Sequence, residues 1–357
     1  MRVLYLFSGI RGGLVEKVKR GEDPGDGTWG MVRLPHFGIE AEHLELEHVL
    51  PDSAAKFIRR KVLGNYGAHI PFFFHFFRYD IIFTAGAFYS QLLFTLAQII
   101  FRFKKPLWVM HDFNITGFLG NGTTIKQKLF RFITLRAGGI VTVGKEESER
   151  LKKLLPHLKE RIEYIPFGVD ISFFSPREGK EVERRILSVG VDPDRDWETL
   201  FNACEGLGVE VVAATRPRGS RDVTPPPFVT RKLFPLKELV DEYVRASIVV
   251  LPLDSSAGVN DARGATALFE AMAMGKAIIA TSTHTMRSYI THGENGLLVE
   301  EGNVEEMYSA IKKLLDDKEL RDRLGHAARA YAVQNLDAEK LAGTLVNYFK
   351  KLVAEAH

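Results

Sequence analysis

The sequence predicts an α/β protein built as two doubly wound parallel sheets. Three observations carry this reading. Short, nearly continuous apolar runs recur along the chain at Val3–Phe7, Ile81–Thr84, Leu107–Met110, Gly139–Val143, Ile186–Val189, Val209–Ala213, Ile248–Leu251 and Ala277–Ala280. Segments with helical spacing lie between them, and strands covered by helices on both faces read as unbroken apolar runs rather than alternating ones. At 357 residues the chain is long for one domain, so two are expected.

Taken in order, Met1–Phe7 is too short an apolar run for a signal peptide and lacks a cleavage site, so it reads as a first buried strand. Ser8-Gly-Ile-Arg-Gly-Gly13 follows it, and Gly12 and Gly13 permit close backbone approach to a ligand. Glu16–Gly30 is polar and glycine-rich and reads as a mobile flap before any helix. Lys56-Phe-Ile-Arg-Arg-Lys61 and Pro71-Phe-Phe-Phe-His-Phe-Phe-Arg78 mix basic and aromatic residues. If exposed they suit an anionic bilayer; otherwise the phenylalanines belong to the core. Ile81–Phe101 carries no charge and is long enough to span a bilayer, but Thr84, Gly86, Ser90, Gln91, Thr95 and Gln98 break it into a strand and a helix. His111 and Asp112 stand at the end of the next strand. Pro225–Pro227 marks a surface loop, and no internal repeat stands out.

Composition narrows the function. A hydrophobic content of 45% with 26% charged residues is ordinary for a soluble globular protein. A formal net charge of +3 is too small to argue for nucleic acid. The single cysteine, Cys204, excludes an internal disulfide, fits a reducing compartment and sits in an apolar helical pattern that predicts core packing. No Cys/His cluster with metal-ligand spacing is evident, so no metal is expected. The first strand is not followed by Gly-x-Gly-x-x-Gly, which argues against a dehydrogenase.

The richest stretch is Leu268-Phe-Glu-Ala-Met-Ala-Met-Gly-Lys-Ala-Ile-Ile-Ala-Thr281. It reads as a short apolar helix, a stop at Gly275 and a buried strand. Thr266 and Glu270 share a helix face, being four residues apart. Gly264 supplies a turn ahead of Ala265, Thr266 and Ala267, whose unpaired N–H groups would suit a phosphate. A carboxylate one turn further in could accept hydrogen bonds from a sugar diol. Phosphate beside diol is the layout of a nucleotide. The plain alternative is a Glu facing solvent.

Glu270-Ala-Met-Ala-Met-Gly-Lys-Ala-Ile-Ile-Ala280 resembles the donor-site signature of the retaining glycosyltransferases of family 4 (glycosyl transferases group 1, GT-B fold). Tyr289–Val299 is similar to the family's following loop and strand, and Ile165-Pro-Phe-Gly-Val-Asp170 with Phe174 and Pro176 is similar to its inter-domain junction. The resemblance implies an N-terminal Rossmann-like acceptor-side domain over 1–170 and a donor domain over 171–335. It implies a closing helix over 336–357 that crosses back to the first domain, and a cleft between the two.

It also implies roles. Arg195 falls near a phosphate-binding Lys of the family, while Val191 stands where many members have an Arg. The alternative for Arg195 is an exposed side chain paired to Asp194 or Asp196. Gly12, Gly13, Gly264, Ala265, Thr266, Ala267 and Glu270 would hold the donor; His111, with Asp112, would lie near the reacting sugar. The family's first acid is replaced by Ala262, with Asp261 or Arg263 as the nearest substitutes. Arg231–Phe234 would meet the base, and nothing in them selects uracil over guanine or adenine.

The implied reaction is metal-independent transfer from a nucleotide sugar, UDP- or GDP-linked and a substrate rather than a cofactor, to a glycan or lipid-linked acceptor with retention. A cytoplasmic protein touching the inner membrane face is the matching location. The rivals are a sugar-nucleotide epimerase, and a GT-B scaffold that binds a nucleotide sugar without turnover.

Overall fold

The computed structural model describes residues 1–112, 115–120, 122–177, 183–191, 195–216, 223–254 and 263–356. The chain forms two compact units, Met1–Phe167 joined by Glu339–His357, and Gly168–Ala338. Each contains one parallel six-stranded sheet.

The first sheet comprises β1 (Arg2–Phe7), β2 (Glu40–His43), β3 (Ile81–Ala85), β4 (Leu107–Asp112), β5 (Gly139–Thr142) and β6 (Ile162–Tyr164), in the order β2-β1-β3-β4-β5-β6. The strand order reverses between β1 and β3. In open α/β sheets ligands bind beyond the carboxyl ends of the strands at such a point. One face is covered by the closing helix Ala338–Glu355, whose Leu345, Val346, Phe349 and Leu352 pack with Val3, Tyr5, Phe83 and Val109. The opposite face buries Leu4, Leu6, Ile82 and Trp108 against Phe76 and Phe94. The uncharged stretch resolves into β3 and the helix Phe88–Phe101, and among the described residues no helix is long and apolar enough to cross a membrane.

The second sheet comprises β7 (Arg185–Val189), β8 (Glu210–Ala214), β9 (Val229–Arg231), β10 (Ile248–Leu251), β11 (Ala277–Thr281) and β12 (Leu297–Val299), in the order β12-β11-β10-β7-β8-β9. Its reversal lies between β7 and β10. Cys204 is buried in the core beside this sheet, and burial pushes its thiol up to about 12, so it packs as a small apolar group.

The Ala265–Ala273 helix is fixed at its far end. Gly275 takes φ +65°, the Gly275 N–H donates to the Met272 carbonyl and the Lys276 N–H to the Ala271 carbonyl, which closes a Schellman motif. Arg329, from the helix Lys318–Asn335, donates to the carbonyls of Ala273, Phe174 and Ile171, tying the helix end to the start of the unit. Gly325 lets that helix approach: an added Cβ would lie 2.3 Å from the Gly275 carbonyl oxygen. Lys276 donates to the carbonyls of Val244 and Ala246, at 3.0 and 2.9 Å, and burial lowers its ammonium to about 8.

Corrections to the sequence reading concentrate in the first unit. Gly12 and Gly13 are not loop residues; they open a helix, Gly12–Lys19, because Leu14, Val15 and Val18 give that segment an apolar stripe. The Glu16–Gly30 stretch does not project as a flap. Thr28 is buried, Arg33 pairs with Asp26 at 2.8 Å, and Trp29 packs against the sheet core.

Two histidines of this unit are buried. Burial lowers His111 to about 3 and His69 to about 4, the latter helped by the Arg59 charge. Both are neutral in the folded and unfolded chain above the ordinary imidazole value of about 6.5. Below it the unfolded chain takes up protons that the folded chain refuses, so stability is lost as pH falls from there towards the folded values. Melting temperature is therefore expected to fall between pH 6.5 and 4. His111→Gln should flatten the slope by up to about 1.4 kcal/mol per pH unit. An unchanged slope in that variant would contradict the neutral, buried His111.

Candidate functional site

In the second unit, groups converge at the carboxyl ends of β7, β10 and β11. The backbone turns at Gly190, where φ is +151°. Arg195 folds back onto it: a Cβ at Gly190 would lie 2.2 Å from Arg195 Nη2. Arg195 is 3% exposed, which overturns the reading of a solvated arginine. Asp196 is occupied otherwise, as the cap of the helix Trp197–Cys204, accepting from the Thr199 N–H at 3.1 Å. Arg195 pairs through its backbone with Leu253 just beyond β10, and the Leu253 N–H donates to Thr281 Oγ1 at the end of β11. These bonds hold the Arg195 backbone at the strand-order reversal.

The Ala265–Ala273 helix starts at Gly264, whose φ of +74° suits glycine and which has no room for a Cβ, Met286 and Leu253 being 2.8 and 3.0 Å away. The N-cap residue, Gly264, has no side chain with which to cap this helix start. Ala265 and Ala267 are buried, while Thr266 is exposed. Glu270 is buried at 9% exposure, which overturns the solvent-facing alternative. Tyr243, fully buried on the helix Leu236–Arg245, donates its hydroxyl to Glu270 Oε2 at 2.8 Å. Burial, with the neighbouring Glu270 charge, pushes Tyr243 well above the usual phenol range, so it stays a donor, and Arg195 is near enough to act on it electrostatically. Glu270, Tyr243 and Arg195 thus share one neighbourhood. Sequence reasoning missed Tyr243. Its signal was the apolar stripe Val240, Tyr243, Val244, which buries a phenol that must then find an acceptor.

The other donor-side candidates are placed as follows. Arg263 donates to the Asp254 carbonyl at 3.0 Å. Arg231 ends the edge strand β9 and donates to the Val223 carbonyl at 2.6 Å, and Lys232 pairs with Glu238 at 3.1 Å. Asp261, Ala262, Asp194 and the Asp112 side chain lie outside the described residues.

In the first unit, His111 sits at the carboxyl end of β4 inside an aromatic cage. Its ring stacks on Trp29 at 4.9 Å and lies 5.1 Å from Phe83 and 6.5 Å from Phe167. Trp29 also packs on Phe7, 4.9 Å away, and the Arg11 guanidinium lies 5.3 Å from the Phe7 ring centre. Trp29 therefore joins His111 to the start of the Gly12–Lys19 helix, which sequence reasoning did not foresee.

That helix start is held by Glu45, which accepts from the backbone N–H groups of Arg11 and Gly12, the latter at 3.2 Å. Residue spacing along the chain predicts no metal-binding cluster, yet the fold brings donor atoms of His43, Glu45 and His48 within 4.8 Å of one another. The end of β2 and the short 3-10 turn Leu46–His48 double the chain back, gathering residues that spacing alone leaves apart. Burial holds His43 below the ordinary imidazole range.

Residues 233–331 match the family described as Glycosyl transferases group 1. The MMP alpha-(1->4)-mannosyltransferase of Mycolicibacterium hassiacum is 27% identical over 55% of this chain and 49% of its own length. The D-inositol 3-phosphate glycosyltransferase of Corynebacterium glutamicum is 26% identical over 52% of this chain and 51% of its own. The chain thus spans about half the length of these curated relatives. Among solved structures, the sucrose-phosphate synthase of Thermosynechococcus elongatus superposes with a TM-score of 0.70 at 17% identity, covering 99% of both chains. HepE of Anabaena, in complex with UDP-glucose, gives 0.70 at 15% identity over 98% of this chain and 100% of its own. These likenesses show the fold: two parallel-sheet Rossmann-like units of the GT-B type. The second unit carries the group 1 segment.

Proposed function

We propose that the protein is a glycosyltransferase moving a sugar from a nucleotide-sugar donor to an acceptor hydroxyl with retention of configuration. The observation that carries this reading is Glu270, a carboxylate buried in an apolar helix that starts at Gly264, bonded to Tyr243 with Arg195 nearby. Glu270 would accept from the ribose hydroxyls. Arg195 and the N–H groups of Ala265 and Thr266 would take the charge that grows on the leaving diphosphate. The acceptor oxygen forms its bond to the anomeric carbon on the face from which the diphosphate departs. The carbon–oxygen bond to phosphate breaks, and the acceptor proton passes to a phosphate oxygen. His111, neutral by burial, would donate to a sugar hydroxyl rather than ferry a proton as imidazolium. The HepE structure holds UDP-glucose, which makes UDP-sugars the first donors to test.

We assign the acceptor to an anionic bilayer surface. Phe72 and Phe76 are core residues, but Phe74 is 85% exposed. On the Phe88–Phe101 helix, Leu93, Leu96, Ile100 and Phe101 all face solvent. That helix packs beside Ile70–Arg78 and Ile125–Thr134. Lys56, Arg60, Lys61, Arg78, Arg102, Lys104, Lys126 and Lys128 are exposed on the same and adjoining elements. Aromatic side chains flanked by basic ones suit insertion at the headgroup boundary, each surface cation adding about 1 kcal/mol.

Two experiments test this. Calorimetry with UDP, GDP and ADP should give binding to one nucleotide, weakened at least ~10-fold in Glu270→Ala, the loss of a charged hydrogen bond costing about 1.5–3 kcal/mol. Unchanged affinity would remove the assignment, and sugar release without acceptor would favour the epimerase or a simple hydrolase. In the second, the chain should co-sediment with phosphatidylglycerol vesicles at low salt, and a Phe74→Ser, Phe101→Ser double variant should stay in the supernatant. Failure of the native chain to sediment would dispose of the bilayer assignment.

A further inference from the structure

We propose that His43, Glu45 and His48 form a binding site for a divalent transition-metal ion of the zinc class, which fastens the Gly12–Lys19 helix start to the end of β2. Three potential ligand atoms lie within 4.8 Å of one another. Two imidazoles and one carboxylate are a borderline donor set, suited to zinc, cobalt or iron(II) rather than to calcium or magnesium. All three come from one stretch of six residues, so local backbone geometry sets their spacing. His43 is fixed by the sheet, being in register with Tyr5 of β1, and His48 is fixed by the 3-10 turn. The two rings sit edge to face with centres 4.9 Å apart, and His43 Nε2 is 3.9 Å from Glu45 Oε1. Among the described residues His43 Nε2 is buried without a hydrogen-bond partner, which a metal bond would resolve. The neighbouring acid Glu47 is engaged elsewhere, by Arg59 at 2.7 Å, and stands apart from the set.

Glu45 already has the supporting bonds that a ligating carboxylate needs. The Arg11 and Gly12 N–H groups donate to it, one to each oxygen, and a carboxylate has about four lone-pair sites, so acceptor capacity remains. A bound ion would lock Glu45 and, through it, the two amides that open the helix. Three protein ligands leave a fourth position for water or a ligand oxygen. This inference is independent of the nucleotide reading.

The test is calorimetric titration of the full chain, stripped with chelator, with zinc chloride alone. One equivalent should bind with micromolar or tighter affinity. His48→Ala, which removes an exposed side chain and leaves the core intact, should weaken it at least roughly 10-fold. Hydrogen exchange of the Arg11 and Gly12 amides should slow when zinc is added. Absence of zinc binding, or an affinity unchanged from the native chain in both His43→Ala and His48→Ala, would overturn the site, the latter by assigning zinc to scattered surface histidines. Unchanged exchange at both amides would overturn the fastening role.

Discussion

A carboxylate buried in an apolar helix is the constraint on which the second unit is organised. Left unpartnered, such a group is costly to bury, by about 1–3 kcal/mol for a polar group and more for a charged one. Tyr243 offsets that cost with a 2.8 Å hydrogen bond, and the phenol needs its own burial to be held there. The arrangement requires the Leu236–Arg245 and Ala265–Ala273 helices to stay in register. The Schellman stop at Gly275, the Arg329 clamp on Ala273 and the Lys276 contacts to Val244 and Ala246 all serve that end. At the other end Gly264, with no space for a Cβ, fixes where the helix begins.

The first unit solves a different problem. Its candidate side chain, His111, is an imidazole kept neutral by an aromatic surround, and Trp29 is the piece that completes the surround. Trp29 adopts φ +51°, a conformation that non-glycine residues seldom take, and it is held there by packing on Phe7 and His111. The glycine-rich segment around it is thus part of the core of that unit, with the Arg33–Asp26 pair fastening its far side.

The central strands were legible because helices cover both their faces and their residues are apolar without interruption. The edge strands β2, β6 and β9 were not: each has three or four residues, and Glu40, Glu42, Glu163 and Thr230 leave no unbroken run. The fourth edge, β12, was reached only through family resemblance. The same division holds for the site. Glu270 stood out as a lone acid in an apolar helix, and Arg195 as the cation after a strand. Tyr243 did not, because a tyrosine in an amphipathic stripe looks like any core aromatic until its acceptor is known. The approach of His43, Glu45 and His48 depends on a strand ending and a 3-10 turn beginning within six residues, which periodicity does not report.

The most direct measurement is a crystal structure of the chain soaked with UDP. The account predicts ribose hydroxyl oxygens within hydrogen-bond distance of Glu270, with Tyr243 still on Oε2, and a diphosphate oxygen on the Arg195 guanidinium. A nucleotide bound elsewhere, with Glu270 touching no part of it, would contradict the account.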